Sequence, residues 1–269
     1  MQSTDRIAVL MAVYNAQATI TAALRSILEQ TRQADEVIIV DDGSTDDTSR
    51  ILQSFGRQHS FRIIRLPEKS GFTAAINAGL DACRCDWIAR LDADDWWESN
   101  HLETIRLALA QADKDTSLVA TRAMYWNDEH HKTGESCGPI HGDALRCFMI
   151  NDNPFVHSAT VFRLEAARQA GGYPGGVRWE DYGLWIALMS TGNGQIVDTT
   201  TVNCRKQAGS LSAVSKLAAL RSRLEMQRKA WRLFRHCCPL TGSIELALTW
   251  VRVFLATARR MMKPDKRCV

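Results

Sequence analysis

The sequence predicts an α/β fold built on a mostly parallel, Rossmann-like sheet with helices on both faces, followed by amphipathic C-terminal helices. Three observations carry this. Short apolar, β-branched runs recur through the N-terminal half, segments of helical spacing fill the gaps between them, and each run stops abruptly at polar or acidic residues. With 269 residues and a 45% hydrophobic content, the chain has the core such a domain needs.

Ile7 to Val13 is continuously apolar, as a strand buried on both faces would be, and ends at Tyr14-Asn15. Ile20, Ala23, Leu24, Ile27 and Leu28 then recur at helical spacing, with Thr21, Arg25 and Glu29 facing out. Val37 to Val40 is a second strand that opens into Asp41-Asp42-Gly43-Ser44-Thr45, after which Thr48, Ile51, Leu52 and Phe55 resume a helix, capped from Ser44 or Thr45. Phe61 to Leu66 predicts a third strand, Phe72 to Ala82 a helix, and Trp87 to Leu91 a fourth strand. The alternation predicts parallel pairing with right-handed crossovers. Leu102, Ile105 and Leu109 mark a helix, and Leu118 to Tyr125 a strand. From Trp126 to Gly142 periodicity disappears, which predicts a loop over a cleft. Ser158 to Phe162 is a short strand, Gly171 to Gly176 a turn, Asp181 to Met189 a helix, and Gln195 to Val202 the closing strand.

The net charge of +3 conceals an asymmetry: residues 205–269 carry net +12 and residues 1–204 carry −9. An acidic body argues against nucleic acid at the main cleft, and the basic tail favours an anionic surface such as a membrane. The N-terminus lacks the pattern of a secretory signal, so a cytoplasmic setting is expected, with peripheral contact at the inner membrane face. The eight cysteines have no C-x-x-C pairs and read as reduced thiols. His130, His131, Cys137 and His141 match no standard zinc spacing and read as polar loop.

Asp92, Asp94 and Asp95 place three carboxylates within four positions, a repulsive arrangement unless a cation sits there. If the strand continues through them, Asp92 and Asp94 share a face and can aim at one Mg²⁺ or Mn²⁺. No glycine-rich phosphate loop follows the first strand. A carboxylate-held divalent cation would neutralise a diphosphate instead. Asp41 and Asp42, at a neighbouring strand end, can accept hydrogen bonds from a base or ribose.

Ala12-Val13-Tyr14-Asn15, the Val40-to-Asp46 elbow, Asn77-Ala78-Gly79, Asp92-Ala93-Asp94-Asp95, Gly171-Gly172-Tyr173 and Glu180-Asp181-Tyr182-Gly183-Leu184-Trp185 together resemble glycosyltransferase family two. The resemblance spans roughly residues 6 to 212 in consistent order. It implies a GT-A fold, a nucleoside-diphosphate sugar donor (UDP-linked in first place), inversion at the anomeric carbon, and a setting in cell-surface polysaccharide assembly. It implies donor contacts from Ala12, Val13, Tyr14, Asp42, Lys69, Gly71, Asn77, Asp92, Ala93 and Arg205. Metal ligation falls to Asp94, with Asp92, Asp95 and Gln207 beside it. Gln207 stands where many relatives carry His. Asp181 is implied as the base that deprotonates an acceptor hydroxyl, with Glu180 as the alternative; a helix N-terminus would favour its ionised form by about 0.3–1 kcal/mol. His157 and Trp179 lie on the acceptor side.

The expected domains are a catalytic unit over residues 1–212, divided near residue 125 into donor and acceptor halves, and a basic extension over 213–269. In the extension, Leu217, Leu220, Leu224, Trp231 and Phe234 interleave with Arg221, Arg228, Arg232 and Arg235; Ile244 to Met262 forms a second such pattern, interrupted by Arg252. An interfacial helix meeting a lipid-linked glycan acceptor, packing on the sheet, and a second subunit in a homo-oligomer are the three uses of this pattern. The rival functions are a sugar-phosphate nucleotidyltransferase and a non-catalytic sugar-nucleotide-binding scaffold.

Overall fold

The computed structural model describes residues 5–176, 179–206 and 216–237. The strands are β1 (Ile7–Val13), β2 (Glu36–Asp41), β3 (Arg62–Arg65), β4 (Trp87–Arg90), β5 (Trp96–Trp97), β6 (Thr116–Trp126), β7 (Lys132–Glu135), β8 (Thr160–Arg163) and β9 (Asn193–Arg205). The helices are α1 (Ile20–Leu28), α2 (Thr48–His59), α3 (Phe72–Ala82), α4 (His101–Gln111), α5 (Gly142–Asn151), α6 (Leu164–Gln169), α7 (Glu180–Thr191) and α8 (Lys216–Phe234).

The sheet order is β3-β2-β1-β4-β8-β6-β9-β5, with β7 paired on β6. β1 pairs parallel with both β2 and β4, and β2 with β3, as the alternating pattern predicts. Beyond β4 the sheet is mixed. β8 runs antiparallel to β4 and β6, and β5 antiparallel to β9, whereas β6 and β9 pair parallel. The parallel part of the mostly parallel sheet ends at β4, where β8 pairs antiparallel.

Strand pleating divides β1 between two cores. Ala8, Leu10 and Ala12 pack toward α3, α5 and α7, while Ile7, Val9, Met11 and Val13 pack toward α1 and α4. Gly79 allows the closest approach of α3 to the sheet: a Cβ there would lie 2.9 Å from Val40 Cγ2 and press on Leu10 Cδ1. Gly43, at φ +68°, sits where a Cβ would lie 2.7 Å from the Glu68 carbonyl carbon. Both glycines are therefore required by space.

Four local expectations change. The segment after Trp126 contains β7, a polar exposed hairpin strand, and α5 begins at its far end. α2 starts at Thr48, and Ser44 Oγ accepts the Asn15 N–H at 3.0 Å rather than capping that helix. β4 ends at Arg90, so Asp92 and Asp94 lie in a turn and owe nothing to strand alternation. Cys147 is disulfide-bonded, which departs from the uniformly reduced thiols expected.

α8 lays Leu224, Met226, Ala230 and Phe234 against α5 and α7. Its apolar face is thus spent on the body of the protein, while Arg221, Lys229, Arg232 and Arg235 face outward. Among the described residues no helix is long and apolar enough to cross a membrane. Gln207 and the pattern from Ile244 to Met262 lie outside the described residues.

Candidate active site

β1, β2 and β4 run parallel and side by side, so their carboxyl ends lie together on the edge where open α/β sheets hold ligands in a crevice. At the end of β2 the two aspartates have separate tasks. Asp41 is buried, accepts the Ser44 N–H at 2.9 Å and the Ser49 hydroxyl, and pairs with Arg65 at 3.9 Å. Asp42 accepts the backbone N–H groups of Ser70 at 2.6 Å and Gly71 at 2.9 Å. It thereby folds the Lys69–Gly71 loop over the crevice. Lys69 Nζ sits 3.9 Å from the Tyr14 ring centroid, making a cationic and aromatic wall. Ala12 and Val13 form the buried floor, and the Val13 carbonyl accepts the Asp42 N–H at 2.9 Å.

Asn77 is fully engaged within the protein. Its Nδ2 donates to the Tyr173 carbonyl and its Oδ1 accepts the Tyr173 N–H, both at 2.9 Å. It ties α3 to the Gly171-Gly172-Tyr173 turn, where a Cβ on Gly172 would lie 2.6 Å from Asn77 Oδ1.

The acidic turn is sorted by its partners. Asp92 Oδ1 accepts from Arg90 Nη2 at 2.6 Å, and Oδ2 lies 3.2 Å from His157 Nδ1 and 3.3 Å from Ser158 Oγ. Burial opposes charge on Asp92, but His157 and Arg90 outweigh it and hold the carboxyl well below the usual range. Arg90 is wholly buried; it also donates to the Leu10 carbonyl, and through Nε to His157 Nε2 at 3.0 Å. Tyr173 OH lies 3.0 Å from the same Nε2.

Asp95 is buried between the Ser158 hydroxyl and the Arg205 N–H, which donates at 2.9 Å. Burial, then Asp94 and Asp92, push its carboxyl up to about 8. Among the described residues no other side chain hydrogen-bonds Asp94; burial and then Asp92 push it up to about 6 against the pull of the Arg205 charge. Ala93 lies between, partly buried. Among the described residues no three His, Cys, Asp or Glu side chains group as a metal cage. The Arg205 guanidinium lies over Trp96, 5.6 Å from the ring centroid, and its Nε is buried without a partner.

Across the crevice, Glu180 and Asp181 open α7 behind Trp179, whose φ of +70° turns the chain into the helix. Asn153 Nδ2 donates to Asp181 Oδ2 at 3.0 Å. Burial raises Asp181 and Glu180 above the ordinary carboxylate values. The helix-terminus argument pointed downward; desolvation exceeds it. His157 stacks among Tyr173, Trp185 and Phe72, so it belongs as much to the brace under Asp92 as to an acceptor wall.

Sequence reasoning missed Arg90, Ser158 and Asn153. Arg90 did carry a signal: a lone cation inside an apolar strand just before an acidic turn needs a buried anion.

A mixed α/β sheet whose carboxyl ends gather two separate carboxylate groups around one crevice has the layout of a group-transfer enzyme of the GT-A type. The chain belongs to glycosyl transferase family 2, whose family model matches residues 8–170. It is 29% identical over 232 residues, 80% of this chain and 82% of the relative, to the UDP-Gal:alpha-D-GlcNAc-diphosphoundecaprenol beta-1,3-galactosyltransferase of Escherichia coli. It is 28% identical over 205 residues, 75% of this chain and 76% of the relative, to an amylovoran biosynthesis glycosyltransferase of Erwinia amylovora. The fold matches S. aureus TarS in complex with UDP-GlcNAc at a TM-score of 0.68 and 15% identity, covering 86% of this chain and 71% of that one. It also matches a Pyrobaculum calidifontis mannosyltransferase in complex with GDP-Man and Mn²⁺ at a TM-score of 0.64 and 18% identity, covering 94% and 75% of the two chains.

Proposed function

We propose that this glycosyltransferase moves a sugar, with inversion, from a nucleoside-diphosphate donor, UDP-linked in first place, to a hydroxyl of a glycan or lipid-linked glycan in cell-surface polysaccharide assembly. The observation that carries the reading is the contrast between Asp92, held by Arg90 on one oxygen and by His157 on the other, and Asp94, half-buried beside it with no salt bridge among the described residues. Such a carboxylate fits a hard divalent cation that takes its remaining ligands from diphosphate oxygens and water. Bound there, Mg²⁺ or Mn²⁺ would offset the charge that develops on a departing diphosphate.

This chain's own residues would do the rest. Tyr14, Lys69 and the Asp42-held loop line the nucleotide end, and Arg205 offers its guanidinium to the diphosphate. On the other side the Asp181 carboxylate takes the acceptor hydroxyl proton as that oxygen bonds to the anomeric carbon and the bond from carbon to the diphosphate oxygen breaks. General-base help of this kind contributes roughly 10²–10⁴ in rate. Glu180 remains beside it as the second carboxylate. The outward basic face of α8, part of the extension over residues 213–269, would meet anionic lipid at the inner membrane surface.

Calorimetry of UDP with Mn²⁺ tests the donor half. Asp94→Ala is expected to abolish the metal-dependent part of the affinity; unchanged affinity would remove the metal role.

A further inference from the structure

The Asp181 carboxylate is held by the Tyr182 backbone N–H in its own helix and, from outside it, by Asn153. Asn153 Nδ2 donates to Asp181 Oδ2 at 3.0 Å, and Asn153 Oδ1 accepts the Phe155 N–H at 3.1 Å. Because the oxygen end closes the turn, the nitrogen end must face the carboxylate. The corner carrying Asn153 is anchored on both sides. Toward α8, the Asn151 carbonyl accepts Gln227 Nε2 at 2.7 Å and Arg223 Nη2 at 3.1 Å, and Arg223 pairs with Asp152 at 3.2 Å. Toward α7, the Phe155 ring meets Trp185 edge-on at 6.5 Å between centroids.

We propose that Asn153 is the positioning residue for the acceptor-activating carboxylate, and that α8 holds the corner that presents it, through Gln227 and Arg223. The proposal rests on the reading of Asp181 as the base. A general base works only while a lone pair points at the acceptor proton, and a displacement of about 1 Å costs on the order of 10² in rate. The Asn153 amide fixes one oxygen and so the plane of the carboxylate, and as a neutral donor it favours the ionised form. The other titratable groups acting on Asp181 are Glu180 beside it, His157 and Asp92 across the crevice, and Tyr173. Among the described residues none of these groups hydrogen-bonds the Asp181 carboxylate; beside Asn153 only the Tyr182 backbone N–H does so, and loss of the Asn153 amide leaves no second side-chain donor.

A residue that only closed the 152–155 turn would tolerate Asn153→Asp, since an Asp oxygen can still accept the Phe155 N–H. The positioning role does not tolerate it, because the donor facing Asp181 is replaced by a like charge. Nucleotide release from UDP-galactose and UDP-GlcNAc with Mn²⁺, water serving as acceptor, is measured for wild type, Asn153→Asp, Asn153→Ser and Asp181→Asn. Both Asn153 variants are expected to lower kcat about 10- to 100-fold with unchanged UDP affinity. They should also move the acid limb of kcat to higher pH, since a lost donor or an added negative charge raises the Asp181 pKa. Carboxyl carbon NMR of Asp181, assigned with Asp181→Asn, should show the same upward shift in Asn153→Ser without any turnover. An unshifted Asp181 titration, or wild-type kcat and acid limb in Asn153→Asp alongside an inactive Asp181→Asn, would overturn the positioning role alone. Full turnover in Asp181→Asn would instead remove the base reading on which it rests.

Discussion

Arg90 Nη2 donates to Asp92 Oδ1 at 2.6 Å from a side chain with no solvent exposure. This pair makes the acidic turn tenable. One guanidinium spans the Leu10 carbonyl, His157 and Asp92, so the strand that delivers the acids also delivers their main counter-charge.

Arg90→Met should therefore destabilise the protein by about 2–4 kcal/mol, because it leaves the half-buried Asp92 short of its cation. Urea unfolding followed by tryptophan fluorescence measures it. A loss below about 1 kcal/mol would mean that His157 and Ser158 suffice to hold Asp92.

The turn also gives stability a pH dependence. Asp94 and Asp95 are pushed up to about 6 and about 8 by burial and mutual repulsion, above the unfolded value near 3.9. The folded state thus holds protons that the unfolded state has released, and the metal-free protein should lose this contribution as pH rises from about 4 to about 8. Under the proposed function, a cation at Asp94 would replace the proton. The rise in Tm caused by Mn²⁺ with UDP is expected to be larger at pH 8 than at pH 5.5, and Asp94→Asn should abolish the difference. Equal shifts at both pH values would separate the cation from the acidic turn.

Gly79→Ala gains up to about 1 kcal/mol of helix propensity but forces a methyl onto Leu10 and Val40, which costs about 1–3 kcal/mol. The net expectation is a loss of about 1–2 kcal/mol in a chemical denaturation curve, with UDP binding retained. A stabilised variant would show that α3 can lift off the sheet freely.

The sequence revealed the first half of the fold because β1, and the apolar stretches Val37–Val40 of β2 and Trp87–Ala89 of β4, are largely buried and flanked by helical spacing. The second half depends on shorter signals. β5 is only Trp96–Trp97, and β7 is the exposed run Lys-Thr-Gly-Glu, so neither shows a burial pattern along the chain. The acidic residues themselves were visible in the sequence, but their sorting was not. Asp92 is paired and Asp94 unpaired because of Arg90, His157 and Ser158, contacts that only the packing of β4 against the 3-10 turn His157–Ala159 creates. Asn77 illustrates the same limit. It lies in a motif suggestive of donor binding, yet both ends of its amide are taken by Tyr173, 96 residues away.

The central claim is that the carboxylate opening α7 activates the acceptor while the Asp94 turn holds the donor. Nucleotide release by Asp181→Asn, measured beside its UDP affinity in Mn²⁺, tests it most directly. Turnover is expected to fall by roughly 10²–10⁴ at unchanged UDP affinity. Turnover at the wild-type rate would contradict the account.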